Sequence, residues 1–219
     1  MSWQDCRNLA VIIGGPNTNL PQECAYSQAH YDAMVKKYSG MDMGKYEHVF
    51  IDSITVASRL CFQWCKTQPQ AFSEKTGKPN PLGAYGLLGQ EMIGWLSHIQ
   101  HALTKNVYFV CLLDEKLDDF NRKVFSPQLE GSKTQNEIHG IVDEIITMAD
   151  IRSDDGTSYR SFITQTINEY GYPAKDRSGR LNPIEEPHLL KLVAKCKQPL
   201  ERKRDANITT TIPDFLKGE

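Results

Sequence analysis

The sequence lacks the patterns that define several protein classes. Its six cysteines form no C-x-x-C pair and no zinc-ligand spacing, so we expect reduced thiols in a cytosolic protein. No apolar run approaches the ~20 residues that span a bilayer. The first residues, M-S-W-Q-D-C-R, have neither a basic nor an apolar signal region, so no membrane segment or signal peptide is expected. The net charge of −2 gives no overall field for nucleic acid.

One apolar strand that ends in an acid is the most informative feature that is present. Val49, Phe50 and Ile51 lead directly into Asp52 and Ser53. A continuous apolar run is typical of a strand buried on both faces of a parallel sheet. The carboxyl end of such a strand is where open α/β sheets bind ligands, and a carboxylate there can hold Mg²⁺ beside a nucleotide phosphate, as a Walker B aspartate does. The alternative is that Asp52 caps the helix that begins near Ile54.

The usual partner of this pattern is missing, because no G-x-x-x-x-G-K-[ST] loop precedes it. Residues 131–134, G-S-K-T, lack the glycine before the lysine, and no apolar strand leads into them. Lys133 could contact a phosphate or a neighbouring subunit, although a solvated loop lysine is the default interpretation.

The hydrophobic periodicity predicts alternating helices and strands, which favours an α/β domain with a mainly parallel sheet. Two later strands, separated by a hairpin-type turn at residues 154–156, predict an antiparallel extension at one edge. Residues 116–136 are polar, and we expect them to be mobile. One domain over residues 1–198 is expected, followed by a loosely ordered tail over 199–219. The predicted helices cover 28–38, 54–66, 84–104 and 185–197, with a first helix capped by Ser2, and the predicted strands cover 47–53, 107–113, 141–148 and 159–165.

Other charged residues are weaker candidates. Asp114 and Glu115 end the strand after the Asp52 strand, so they could position water or, with Asp52, hold two metal ions in a nuclease; a solvated strand end is the alternative. Lys175 and Arg177 lie in a Gly/Pro-rich loop, where an arginine could reach a neighbouring subunit's nucleotide.

A basic run could follow a phosphate backbone, although such a run is usually a solvated face. It comprises Lys191, Lys195, Lys197, Arg202, Lys203 and Arg204.

An ordered set of segments resembles one protein family. The set includes H-V-F-I-D-S-I-T at 48–55, Y-G-L-L-G-Q-E-M at 85–92, N-V-Y-F-V-C-L-L-D-E-K at 106–116 and G-Y-P-A-K-D-R-S-G-R-L at 171–181. The order of these segments is similar to that in phage-encoded, RecA-like ATP-binding proteins of the AAA/P-loop class. Some members of that class are linked to DNA recombination or single-strand annealing. The resemblance extends from about residue 2 to residue 197.

The resemblance implies an ATP and Mg²⁺ site. Asp52 would be the Walker B aspartate that holds the metal, with Ser53 beside it, and Glu115 would lie in the sensor region. Lys175 and Arg177 would face the nucleotide or the adjacent subunit. The resemblance also implies the cytosol of a bacterial host, possible single-stranded DNA as a partner, and a homo-oligomer or filament.

The departure from the family pattern concerns the first strand and the phosphate loop. Family members place both before anything that matches Ser2, and Gly14-Gly15-Pro16-Asn17 has no lysine or hydroxyl to replace them. We therefore expect a core that lacks these parts and binds ATP weakly on its own. A truncated reading, a split gene and a miscalled start each explain the pattern. A non-catalytic module that binds a protein or DNA is the alternative function.

Overall fold

The computed structural model describes residues 1–40, 42–152 and 156–199. Its first part is a two-stranded parallel sheet with helices on one face. The elements of this part are α1 (Trp3–Gly14), α2 (Gln28–Lys37), β1 (His48–Asp52), α3 (Ile54–Cys65), α4 (Pro81–Gln100) and β2 (Asn106–Val110). Strands β1 and β2 pair in parallel, with His48 opposite Asn106 and Asp52 opposite Val110.

The helices begin where the sequence offers caps. Ser2 and Asp5 form a reciprocal capping box at the start of α1, and the Ser27 hydroxyl accepts from the His30 N–H at the start of α2. Asn80 caps α4, and Pro81 occupies its first position, where its missing N–H costs nothing. The predicted helices at these positions are confirmed, although α4 begins three residues earlier than expected.

Helix α4 is the centre of the main core. It packs against α1, α3 and a later helix, and its buried stripe includes Leu88, Met92 and Leu96. The indole of Trp95 lies 5.7 Å from that of Trp3, and its Nε1 donates to the Cys6 carbonyl across 3.0 Å. The α1, α3 and α4 side chains cover one face of the parallel pair, the face of Ile51, Val107 and Phe109.

The other face of the parallel pair is uncovered within the described part of the chain. Phe50 is 56% exposed and Val110 is 40% exposed. The prediction that this strand is buried on both faces is therefore wrong here. The V-F-I run favoured burial, but neighbouring residues of a strand alternate between faces. Its middle residue, Phe50, therefore points away from the helices.

The segment 116–136, expected to be mobile, is ordered structure. Strands β3 (Leu113–Leu117) and β4 (Lys123–Pro127) form an antiparallel hairpin, and α5 (Ser132–Ile141) follows it. Polar composition concealed these elements because the hairpin is largely exposed and α5 buries only Thr134 and Ile138. The predicted strand 107–113 is likewise two elements, since β2 ends at Val110 and β3 begins at Leu113.

The last part of the chain is antiparallel. Its elements are β5 (Glu144–Ile145), β6 (Thr147–Arg152), β7 (Ser158–Ile163), β8 (Lys175–Asp176), β9 (Ile184–Glu185) and α6 (Leu189–Cys196). β6, β7 and β9 form one sheet, while β5 pairs with β8. The hairpin predicted around residues 154–156 is confirmed as the β6–β7 pairing, although Asp154 and Asp155 lie outside the described residues.

Two expectations about the sheets need correction. The fold is mixed α/β, but among the described strands β1 and β2 alone pair in parallel, so the strand pairing as a whole is not mainly parallel. The antiparallel strands form separate small sheets and do not extend its edge. The strand predicted over 141–148 is instead the end of α5 followed by β5 and the start of β6. The tail from residue 200 onward lies outside the described residues.

Candidate functional site

Asp52 lies at the carboxyl end of β1, on the edge where both parallel strands finish. Its side chain is exposed, and it has no hydrogen-bond or ion-pair partner among residues that the structure describes. A carboxylate that is used for structure normally accepts several bonds, as Asp176 does below. Asp52 is therefore free to bind a cation, and hard carboxylate oxygens are what Mg²⁺ prefers.

Ser53, rather than Asp52, caps the helix that follows. Its hydroxyl accepts from the Val56 N–H at 3.4 Å, at the start of α3. The alternative interpretation of Asp52 as the helix cap is therefore wrong. Ser53 shares the strand end with Asp52, but its oxygen already has this capping role.

Thr55 joins the start of α3 to the end of β2, a role that no sequence pattern indicated. Its Oγ1 accepts from the Leu112 N–H at 3.1 Å and lies 3.4 Å from the Cys111 Sγ. The side chain is 1% exposed. This link holds Thr55, two residues after Ser53, against the chain that leaves β2, and so fixes the edge at which Asp52 lies.

Asp114 and Glu115 are occupied by other partners. Asp114 Oδ1 accepts from the Gln128 amide at 2.8 Å, and Glu115 forms a 2.7 Å ion pair with Lys123 across the β3–β4 hairpin. The Glu115 side chain is 49% exposed. In the described ranges, no three His, Cys, Asp or Glu side chains gather as metal ligands, so the nuclease arrangement of Asp52, Asp114 and Glu115 is not formed.

Lys133 lies in the first turn of α5, against α4. A Cβ added to Gly89 would approach the Lys133 Cδ to 3.2 Å, so this glycine allows α5 to pack closely. The Lys133 ammonium is 3.9 Å from Glu137, one turn along the helix, and the side chain is 63% exposed. It forms no part of a phosphate loop in this structure.

Lys175 and Arg177 meet at the opposite end of α5. The Lys175 Nζ donates to the carbonyls of His139 and Val142 at 2.6 and 2.7 Å. Arg177 donates to the Gly140 carbonyl at 3.1 Å and to the Asp143 carboxylate at 2.6 Å. Cations favour a helix C-terminus because its last carbonyls lack partners.

The structure thus brings Lys175 and Arg177 together but leaves Lys133 apart from them. Lys133 and Ile141 are eight residues apart on one helix, which is about 12 Å along the axis. Burial, followed by the nearby Arg177 charge, lowers the pKa of Lys175. Both late-loop cations therefore have structural partners, and neither contacts Asp52.

Two lysines of the basic run are also paired. Lys191 donates to Glu186 at 2.6 Å, and Lys195 pairs with Glu185. Lys197 is exposed after α6, and Arg202 to Arg204 lie outside the described residues. None of the described helices combines the length and apolar character needed to cross a bilayer.

Comparison with protein families matches the chain to the family described as AAA domain, over residues 1–178. The chain belongs to the AAA domain family. This membership indicates an ATPase-like nucleotide-binding function and agrees with the mixed α/β fold. No curated protein and no solved structure matches the chain.

Membership of the AAA domain family implies ATP and Mg²⁺. The residues present offer a ligand for Mg²⁺ but no loop for the triphosphate of ATP. Asp52 offers a free carboxylate at a strand end, which fits one metal ligand. The 219 residues contain no G-x-x-x-x-G-K-[ST] loop, so they offer no backbone cradle for the triphosphate.

Proposed function

We propose that this AAA domain protein is a RecA-like, phage-encoded ATP-binding protein that acts in DNA recombination or single-strand annealing. In this proposal Asp52 is the Walker B carboxylate, and the chain alone binds ATP weakly. The observation that carries the proposal is the exposed, unpaired Asp52 at the carboxyl end of a parallel strand in an AAA domain. When bound, Mg²⁺ would neutralise charge on the phosphates.

One face of the parallel pair, which no described residue covers, supports contact with a further segment. The Phe50 and Tyr108 rings stack there with centroids 4.4 Å apart, and His48 hydrogen-bonds the Tyr108 hydroxyl at 2.9 Å. Parallel strands are normally covered on both faces, so this aromatic face suits packing against more polypeptide. A strand followed by a phosphate loop and a helix would continue the parallel sheet and bring N–H donors to the Asp52 edge.

The test is ATP binding with and without such a segment. A protein in which a strand, G-x-x-x-x-G-K-T loop and helix precede residue 1 should bind ATP by calorimetry only when Mg²⁺ is present. Asp52→Ala should abolish this magnesium-dependent binding. Asp119→Ala is the matched control, because Asp119 is also an exposed aspartate but lies in the β3–β4 turn. Magnesium-dependent binding that survives Asp52→Ala would refute the role of Asp52.

The alternative is a non-catalytic module that binds DNA or a partner protein. The pairing of Lys175 and Arg177 with groups of this chain favours a module without hydrolysis, because neither cation is free to meet a nucleotide. Measurable ATP turnover by the 219-residue chain would exclude this function.

Single-stranded DNA as a partner, and a homo-oligomer or filament as the assembly, belong to the same proposal. Fluorescence anisotropy with labelled oligo(dT), at 50 and 200 mM salt, tests the first. Binding should weaken steeply with salt if phosphate contacts dominate. Sedimentation of the protein with and without the oligonucleotide tests the second.

A further inference from the structure

Two carboxylates face each other on the short pair of strands that follows α5. Glu144 of β5 lies directly opposite Asp176 of β8. Like charges directly opposite each other destabilise an antiparallel pair. A proton on one of the two carboxyl groups removes this repulsion.

The loop after β8 is folded around these two groups. Glu144 accepts from the backbone N–H groups of Arg177 and Ser178 at 3.1 and 3.0 Å. Asp176 accepts from the Gly179 N–H at 3.0 Å and from the Leu181 N–H at 2.9 Å. The conformation of residues 175–181 therefore depends on the Glu144–Asp176 pair.

The same loop closes the C-terminal end of α5. The Lys175 and Arg177 bonds described above satisfy the carbonyls of His139, Gly140 and Val142. Helix α5 has no side-chain cap at its start, where Gly131 occupies the N-cap position. Its C-terminal contacts with the loop thus contribute directly to its stability.

The pKa values of Glu144 and Asp176 shift in opposite directions. Burial raises the pKa of Glu144 to about 7; the N–H bonds from Ser178 and Arg177 oppose this rise, and the Asp176 charge adds to it. Although burial opposes it, hydrogen bonds from Ser178, Leu181 and Gly179 hold the pKa of Asp176 below its usual value. The proton therefore belongs on Glu144.

The other titratable or charged groups around the pair come from α5, β8, the loop and α6. They are His139, Asp143, Lys175, Arg177, Arg180 and Cys196. Burial raises the pKa of the Cys196 thiol, and burial also lowers the pKa of His139. The Cys196 thiol is therefore neutral near pH 7, and His139 takes up its proton only below its usual range. Glu144 is thus the group whose charge we expect to change near pH 7.

We propose that residues 175–181 form a proton-linked latch, closed on α5 while Glu144 is protonated and loosened when Glu144 ionises opposite Asp176. Opening releases Lys175 and Arg177 from the α5 carbonyls and frees both cations for other anions. The latch concerns α5 and its loop only, so it does not rest on the proposed nucleotide site.

The test is amide hydrogen exchange of the full chain, followed by NMR at pH 6 and pH 8. Each rate is divided by the intrinsic chemical rate, which itself changes with pH. Protection of the loop amides should fall about three- to tenfold from pH 6 to pH 8, because ionisation of Glu144 raises the free energy of the closed loop but not that of the open loop. These amides are those of Arg177, Ser178, Gly179 and Leu181. Protection in β2 should not change.

Three variants make the result specific. Glu144→Gln cannot ionise, so its loop protection should be equal at both pH values. Glu137→Gln is the matched control on exposed α5 surface, and it should behave like the unmodified chain. Asp176→Asn removes the facing charge, so the midpoint of the transition should move below pH 7. Loop protection that is the same at pH 6 and pH 8 in the unmodified chain, or that falls equally in Glu144→Gln, would overturn the latch.

Discussion

Replacing Thr55 with valine removes the hydroxyl that joins the start of α3 to the chain leaving β2. Valine has nearly the same shape, so the change leaves packing at this 1% exposed site almost intact. What is lost is the acceptor of the Leu112 N–H at 3.1 Å and the 3.4 Å contact with the Cys111 Sγ. The variant therefore tests the hydrogen bonds of this hydroxyl at the edge that carries Asp52.

The expected cost follows mainly from the Leu112 N–H. A buried donor left without a partner costs about 1–3 kcal/mol. The added valine methyl offsets part of this, at about 0.8 kcal/mol for a buried carbon. We therefore expect the free energy of unfolding to fall by about 0.2–2 kcal/mol. For a chain of this size the upper end of that range is a decrease of roughly 4–8 °C in Tm.

Urea denaturation followed by tryptophan fluorescence measures this loss, since Trp3 and Trp95 report on the adjoining core. With a slope of about 2 kcal/mol/M, the midpoint should fall by up to about 1 M. Thr55→Ser keeps the hydroxyl but loses a buried methyl, so Thr55→Ala, which lacks both, is compared with it. A Thr55→Val midpoint equal to that of the unmodified chain, or a Thr55→Ala midpoint equal to that of Thr55→Ser, would refute the reasoning.

Three further changes probe the core and its pH dependence. Leu96→Ala, at a fully buried position of α4, should lose about 2–5 kcal/mol of unfolding free energy in urea titrations. Gly83→Ala should lower Tm, because its Cβ would lie 2.0 Å from the Gln70 carbonyl oxygen; Gly86→Ala, with open space around it, should raise Tm or leave it unchanged. Burial lowers the pKa of His98 in the folded chain, so below pH ~6.5 the unfolded chain binds a proton that the folded chain does not. The free energy of unfolding should therefore fall as the pH drops from 7 to 5. In His98→Phe the urea midpoint should fall less over that range.

Local signals in the sequence predicted the elements that build the main core. The Ser2 and Ser27 caps and the 3.6-residue stripe of α4 each specify a structure through nearby residues, and all three are present. The strand that ends at Asp52 was also predicted, and its parallel pairing is confirmed. These features depend on spacing and capping, which a single sequence displays directly.

The other elements depend on contacts between distant residues. Helix α5 has little apolar periodicity, and the bonds at its C-terminal end come from Lys175 and Arg177, more than 30 residues later. The resemblance suggested a nucleotide role for these two cations, but nothing in the sequence around them indicated helix carbonyls as their partners. Thr55 gave no signal either, because its partner, the Leu112 N–H, is a backbone group 57 residues away.

The folded unit at the end of the chain extends past the boundary of its sequence family. The AAA domain match stops at residue 178, yet Asp176 accepts from the Leu181 N–H. Leu181 and Leu192 in turn pack with Phe162 of β7. A fragment trimmed to the matched region would cut through this connected set of contacts and leave Phe162 exposed to water. Fragments for expression or crystallisation should therefore keep the chain through α6.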